Sequence, residues 1–353
     1  MMNKKNNTIA KDVFISDLKK YVGREIQQPF LIKKVTSHTR GNQPSQSIII
    51  SDNTGEIEAR TYADNIKDEY KGYENNIVVI TGMVGNNQNK TSIIISDMRK
   101  QESFNMSDYV YMAVKDKEEV LRNELLNYID MIGDENLLAL TKRIFLNNKI
   151  FSAISTLPAG LNHHNYCGAL LIHTLEVVRL SLATIDSFIG LDTLYKVRPY
   201  EFNIDKDLVI AAAVLHDIGN YSSFSFFPEQ QLTIRGHKLP VSVETISIID
   251  AYNSKLPKDQ QCKDMVDLKH IIVAACGDIS PMTIEALVVF NANKMAEQLD
   301  SFGYTFYQYD KAHPHNEDCI IMSKYLEHEI VRKSATDTRK TDMKNNVDNN
   351  KNN

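Results

Sequence analysis

The chain has 353 residues, long enough for two or three domains with real cores, and its 42% hydrophobic and 24% charged residues are ordinary for a globular protein. A formal net charge of −5 is not that of a strongly basic nucleic-acid binder, although a local basic groove remains compatible with it. Its four cysteines, Cys167, Cys262, Cys276 and Cys319, are widely spaced with no C-x-x-C pair, which excludes a zinc-knuckle or disulfide framework and fits a reducing cytosol.

Met1 to Asn7 is polar with no apolar run behind it, so no signal peptide is expected, and residues 1–12 read as a disordered N-terminus. No window approaches the roughly 20 apolar residues that span a bilayer. The expectation is therefore a soluble, cytoplasmic protein that does not enter a membrane.

From Val13 to about Lys100 the apolar residues come in short β-branched runs broken by Gly, Asn and Asp. The runs are Phe30-Leu31-Ile32, Ser47 to Ile50, Gly55 to Arg60, Ile77 to Gly82 and Ser92 to Ile95. Asn53-Thr54-Gly55 and Gly85-Asn86-Asn87 have hairpin-turn composition. Five short strands in so few residues suit a small closed barrel of OB type over residues 13–102. Such barrels hold single strands with a positive groove and aromatic platforms. Candidates here are Lys33, Lys34 and Arg40 around the first hairpin, Arg60 and Tyr62 on the third strand, and Lys90 near the last turn. Period-two alternation puts Arg60 and Tyr62 on one face. Residues 13–100 hold 12 Lys and Arg against 10 Asp and Glu, so binding would rest on local placement. Read singly, each of these is equally an ordinary surface residue, and barrels also serve as protein-binding modules.

Residues 103–150 read as a helical connector, with Val120, Leu121, Leu125, Leu126, Ile129 and Ile132 at helical spacing. Residues 151–332 continue as helices and carry the chemistry. Residues 333–353 are Lys, Asp, Asn and Thr with almost nothing to bury, and read as a disordered tail. Exposed faces of the connector helices leave room for a homo-oligomer.

Of the ten histidines, six fall between positions 163 and 270. Asn162-His163-His164 precedes Ile172-His173-Thr174, and the apolar helix Asp207 to Leu215 runs into His216-Asp217-Ile218-Gly219-Asn220. Neighbouring helical residues point about 100° apart, so a His-Asp pair brackets one ion only near a helix end. Gly219 supplies such an end. Gly236-His237 follows. Neutral imidazole and carboxylate together suit Mn, Fe, Zn or Mg-type ions, which activate water against phosphate esters. Alone, His173 would as readily be a packed, hydrogen-bonded core histidine, and His-Asp is a common dipeptide. The order His, then His-Asp after a buried helix, then His, is what points to a metal site.

These residues, with Leu157-Pro158-Ala159 ahead of them, resemble the YhaM-type 3'-5' exoribonucleases, over roughly Val13 to Met322. The resemblance implies a multi-domain α+β protein, an N-terminal five-stranded OB-type β-barrel followed by an all-α HD-type phosphohydrolase domain. It also implies metal ligation at His173, His216, Asp217 and His237, by divalent ions of the Mn²⁺ kind. Asp217 falls in the catalytic group with His163 and His164, the latter two in a phosphate-binding or supporting role.

This chain departs from the family at four places. Ala275-Cys276 stands where the family has adjacent histidines, Asn293 where it has an aspartate, and Asn220 where a lysine follows the His-Asp turn. Alanine cannot ligate, Cys276 could do so only as a thiolate, and Asn293 keeps a neutral carbonyl oxygen. One ion could sit on His173, His216, Asp217 and Asn293. A second would have only Asp217, His237 and Cys276, which argues against a two-metal mechanism.

The functional expectation is a metal-dependent 3'-5' exoribonuclease acting on single-stranded RNA, or on DNA as well, with activity weakened or lost at these substitutions. Two alternatives stay open. One is a catalytically silent nucleic-acid-binding or scaffold protein with a pseudo-HD domain; the other is an HD-type nucleotide phosphohydrolase.

Overall fold

The structure, a computed structural model, describes residues 8–333 apart from 41–42, 63–64, 88–89, 111, 113, 115, 197, 201–202, 227–229 and 314–317. The five β-branched runs become β1 (Glu25–Arg40), β2 (Gln43–Asp52), β3 (Gly55–Tyr62), β4 (Ile77–Asn87) and β5 (Lys90–Lys100). They close into a barrel in the order β1-β2-β3-β5-β4. Long β1 serves two partners: Glu25 to Leu31 pairs with β4, and Leu31 to Arg40 pairs with β2, with a bulge between Ile32 and Lys34. A bulge that bends one strand is how a sheet turns back on itself. The last seam is short and parallel, Ala59 with Ile93 and Arg60 with Ile94. Phe30, Ile32, Ile48, Ile50, Ile80 and Ile93 fill the interior.

Asn53-Thr54 makes the two-residue β2–β3 turn, where Asp52 Oδ1 accepts from Thr54 N at 2.8 Å. Gly85 to Asn87, expected as a turn, continues β4; the turn itself falls on residues outside those described.

Residues 8–12 correct the expectation of a disordered start, because they are strapped to the barrel; residues 1–7 lie outside the described residues. Ile9 donates its N–H to Gln101 Oε1 at 2.9 Å, and Gln101 Nε2 donates back to Ile9 O at 3.0 Å. Lys11 is buried, with Nζ 3.2 Å from Asp52 Oδ2, 2.9 Å from Pro29 O and 3.4 Å from the centre of the Phe30 ring. A buried ammonium requires this kind of compensation from a carboxylate, a carbonyl and an aromatic face.

The helical part comprises α1 (Glu118–Ile129), α2 (Glu135–Phe145), α3 (Asn148–Thr156), α4 (Ala169–Tyr195), α5 (Lys206–Leu215), α6 (Asn220–Ser223), α7 (Ile234–Lys238), α8 (Val241–Asn253), α9 (Met265–Ala275) and α10 (Ile284–Ala312). Helix α5 is apolar all round and every residue from Leu208 to Leu215 is buried, so it forms the axis of the bundle. Asp205 caps its start by accepting from Leu208 N. The expected connector is part of the same core: Leu125, Ile129 and Leu140 pack in one cluster with Leu171, Leu215, Ile272 and Val289. Two small hairpins interrupt the helices, β6 (Phe224–Phe226) with β7 (Gln230–Leu232) and β8 (Cys319–Ser323) with β9 (His328–Arg332). No helix among the described residues is long and apolar enough to cross a membrane. Residues 334–353, expected as a disordered tail, lie outside the described residues.

Candidate metal centre

Helix α5 delivers His216 at its C-terminal end, where the chain leaves helical geometry in the turn Asp217-Ile218-Gly219. Across from it α4 presents His173 from its first turns. His173 Nε2 is 3.3 Å from His216 Nε2 and 3.6 Å from Asp217 Oδ2, and His216 Nε2 is 3.3 Å from the same carboxylate oxygen. Three donor atoms thus converge from two helices, with both imidazoles fully buried.

A neutral His173 and an ionised Asp217 suit a cation, whereas the metal-free protein favours the charged form of His216. Burial, helped by the neighbouring imidazoles, drives the His173 pKa well below the ordinary histidine value, so the ring is neutral. Burial, the largest single influence, opposes a charged His216, but the Asp217 carboxylate together with the Ala213 carbonyl and Glu297 outweighs it and raises that pKa. Burial likewise opposes ionised Asp217; His216 and His173 overcome this and hold its pKa low. His216 Nδ1 lies 2.9 Å from Ala213 O, which assigns its hydrogen to Nδ1 and leaves the Nε2 lone pair for the site.

The turn is held from behind by α8. Thr245 Oγ1 donates to His216 O and accepts from Gly219 N, both at 3.0 Å. A Cβ at Gly219 would lie 2.3 Å from Val241 O and 2.7 Å from Thr245 N, so only glycine lets the turn approach α8.

His163 and His164 stand on the loop ahead of α4, and His163, His164 and His173 form a second group of converging donors. His164 is buried, with Nε2 2.9 Å from Glu176 Oε2 on α4 and its backbone N–H donated to Asp300 on α10. The His163 ring passes over Gly160, where a Cβ would lie 2.5 Å from Nε2. Burial lowers the His163 pKa, so this ring is neutral too.

On α10, Asn293 is buried and donates Nδ2 to Ala275 O at 3.0 Å and to Glu297 Oε1 at 3.1 Å. Its Oδ1 is buried without a hydrogen-bond partner, as is His173 Nδ1. A buried carbonyl oxygen without a partner is a group for which a bound cation would account. The donor set of two nitrogens and oxygens therefore fits a divalent ion.

The remaining residues singled out in the sequence do not join the triad among the described residues. His237 is exposed on α7 and joins neither group of converging donors among the described residues, because α6 and the β6–β7 hairpin carry the chain away after the His-Asp turn. Cys276 Sγ is 3.9 Å from His216 O, yet burial, reinforced by Asp217 and Asp278, raises its pKa well above the ordinary thiol value. Burial thus disfavours the thiolate form in which a cysteine ligates. Asn220 is buried and donates to Ala159 O at 2.8 Å, a structural bond where a lysine would have reached outward. Sequence reasoning passed over Thr245, Glu176, Glu297 and Asp300; the last two follow Asn293 by one and two turns on its own helix face.

On the barrel, a groove of about 930 Å³ runs over β3 and β5, lined by Arg60, Tyr62, Lys90, Lys19, Glu58 and Ile94 among others. Arg60 and Tyr62 share the outward face of β3, and Lys90 opens β5. Arg60 Nε is held by Glu58 Oε1 at 3.1 Å. Lys33 and Lys34 lie on β1 at its bulge, outside this groove, and the Arg40 side chain is outside the described residues.

Residues 170–297 match the HD domain family. The helical unit carries an HD domain. The HD domain spans the whole triad and reaches Glu297. The 3'-5' exoribonuclease YhaM of Bacillus subtilis (strain 168) is 27% identical over 263 residues, which are 72% of this chain and 77% of that protein. The protein of the same name from Listeria welshimeri serovar 6b is 26% identical over 263 residues, 72% of this chain and 78% of its own. The second OB-fold domain of replication protein A from Methanococcus maripaludis matches with a TM-score of 0.20 and 15% identity, over 26% of this chain and 95% of that one. At that score it adds nothing to the strand order of the barrel.

Proposed function

We propose that the protein is a divalent-metal-dependent 3'-5' exoribonuclease that shortens single-stranded RNA. The observation that carries this is the meeting of His173 Nε2, His216 Nε2 and Asp217 Oδ2 within 3.6 Å of one another in a chain that also carries a closed five-stranded barrel. Similarity to the YhaM exoribonucleases, which spans most of both chains, supports the same reading.

In this reading His173, His216 and Asp217 hold the ion, with Asn293 Oδ1 as a neutral fourth donor. A bound divalent ion supplies a water that ionises near neutral pH and positive charge against the phosphodiester. Mn²⁺ suits a mixed imidazole and oxygen set better than it suits the protonated Cys276 thiol. The Ala213 carbonyl keeps the His216 lone pair directed into the site, and Thr245 keeps the His-Asp turn in place. Neutral His163, at the edge of the cluster, can accept a hydrogen bond at its free nitrogen. The barrel grips the upstream strand, Tyr62 stacking under a base while Arg60 and Lys90 meet phosphates. Lys33, Lys34 and Arg40 extend the basic surface beyond the groove.

The four reduced-type cysteines and the absence of a bilayer-length helix among the described residues fit a cytoplasmic protein. Exposed Val120, Met131 and Leu146 around α1 and α2 offer a surface for self-association, measurable by light scattering.

The test uses 5'-labelled single-stranded RNA and DNA with Mn²⁺, beside the His216→Ala variant. Shortening from the 3' end, absent in the variant, is expected. Strand binding without shortening at any divalent ion would leave the catalytically silent binding protein, which the alanine and cysteine at 275 and 276 favour.

A further inference from the structure

We propose that His163 Nε2 and Glu297 Oε1 hold a second divalent cation beside the one assigned to His173, His216 and Asp217. The inference rests on that assignment and extends it.

Glu176 Oε2 is an acceptor 2.9 Å from His164 Nε2, so the His164 hydrogen sits on Nε2 and its Nδ1 carries a lone pair. That lone pair faces His163 Nδ1 at 3.3 Å, so the His163 hydrogen sits on Nδ1 and is donated to His164. His163 Nε2 must then carry a lone pair. This is the relay from carboxylate through imidazole that orients metal-binding histidines.

The lone pair on His163 Nε2 faces Glu297 Oε1 at 3.8 Å. That separation is too long for a hydrogen bond, and neither atom has a hydrogen to offer the other. It suits two ligands of one ion with bonds of about 2.0–2.2 Å each. Glu297 keeps capacity for it: Oε2 takes the Lys294 ammonium at 2.8 Å, and among the described residues Oε1 accepts a hydrogen bond from Asn293 Nδ2 alone. The space is also prepared, since only a glycine at 160 admits the His163 ring at this depth.

The two sites are adjacent. The ring centres of His163 and His173 are 5.2 Å apart, and donors of the two rings converge in one group. Two-metal phosphodiesterases keep their ions about 3.5–4 Å apart. The chain thus carries at position 297, one turn along α10, the negative charge missing at Asn293.

The test is metal stoichiometry and spectroscopy on full-length protein, stripped with chelator and dialysed against Mn²⁺. Wild type is expected to bind two ions per chain and to show the exchange-coupled electron paramagnetic resonance signal of a manganese pair. Glu297→Gln, which keeps an acceptor for Asn293, and His163→Gln are expected to bind one ion and show an uncoupled six-line spectrum. Thermal unfolding of the metal-free variants checks that each is folded. One ion in wild type, or two retained in both variants, would overturn the second site while leaving the first. No bound Mn²⁺ in wild type would overturn both, and His216→Ala, expected to lose the first ion, separates the two assignments.

Discussion

Thr245 is tied to His216 through the main chain rather than the ring: its hydroxyl donates to the His216 carbonyl while accepting from Gly219 N–H, each at 3.0 Å. One buried hydroxyl thereby closes the His-Asp-Ile-Gly turn on itself. Thr245→Val keeps the shape and strands a carbonyl and an N–H. Each buried unpaired group costs about 1–3 kcal/mol. A fall in Tm and weaker Mn²⁺ binding are expected, with Thr245→Ser restoring both. An unchanged Tm for the valine variant would count against the role given to this hydroxyl.

Gly219→Ala and Gly190→Ala should move stability in opposite directions. At 219 the added methyl meets Val241 O and the Thr245 backbone at 2.3 and 2.7 Å, neither of which can yield. Overpacking of this kind costs about 1–3 kcal/mol. At 190, within α4, the methyl meets nothing within 4 Å, and replacing a helical glycine gains about 0.5–1 kcal/mol. Denaturant midpoints of the two variants check the pair.

Burial lowers the Lys11 pKa to about 8 despite the Asp52 carboxylate beside it. The unfolded amine titrates near its ordinary value of 10.5, so between these values the unfolded chain binds more protons than the folded one. The Lys11 contribution to stability is therefore greatest above the upper value and is lost as pH falls through about 8. The Tm of wild type relative to Lys11→Met is expected to rise from pH 7.5 to pH 10 (chosen to bracket that window), and to stay level below pH 7. A difference that shrinks with rising pH would contradict this burial-driven shift.

Asn293→Asp should not behave as a simple repair of the metal site. The amide donates to both Ala275 O and Glu297, and a carboxylate would face those same oxygens with nothing to donate. The metal-free variant is expected to unfold at lower temperature, and Mn²⁺ to raise its Tm by more than it raises that of wild type. Equal Tm values without metal would refute the electrostatic conflict.

In the barrel groove, Tyr62→Ala is expected to weaken single-stranded RNA binding by about 1–3 kcal/mol at any salt concentration, the value of one stacked base. Lys90→Ala should instead flatten the salt dependence, by about 0.7 in the slope of log K against log salt. Fluorescence anisotropy across a salt series separates the two. Lys34→Ala, outside the groove, serves as the reference.

Much of this was legible from residue types alone. Five β-branched runs announced five strands because a half-buried pleat favours them, and the apolar run from Leu208 to Leu215 announced a central helix. The His-Asp turn could be read because glycine at 219 marks the stop. Where sequence reasoning fell short, three-dimensional proximity was the missing quantity. His237 follows the turn in the right order, yet the β6–β7 hairpin places it in solvent. Glu297 and Asp300 look like the solvated face of a long helix until Asn293 is seen to be buried on that same face. Their spacing of four and seven from Asn293 was the available signal. Lys11 was hidden for a different cause: nothing in a polar start shows that its ammonium has a buried carboxylate waiting at Asp52.

The clasp between Ile9 and Gln101 bears on how the chain is made. Two hydrogen bonds join residues at opposite ends of the barrel, so the barrel cannot be completed during synthesis until residue 101 has cleared the ribosome. From that moment every strand has its partner and the strap is locked, while α4, α5 and α10 are still untranslated. The N-terminal unit can thus finish folding before any donor of the metal centre has emerged, and the histidine-bearing helices assemble beside a neighbour with no open sheet edge to recruit them.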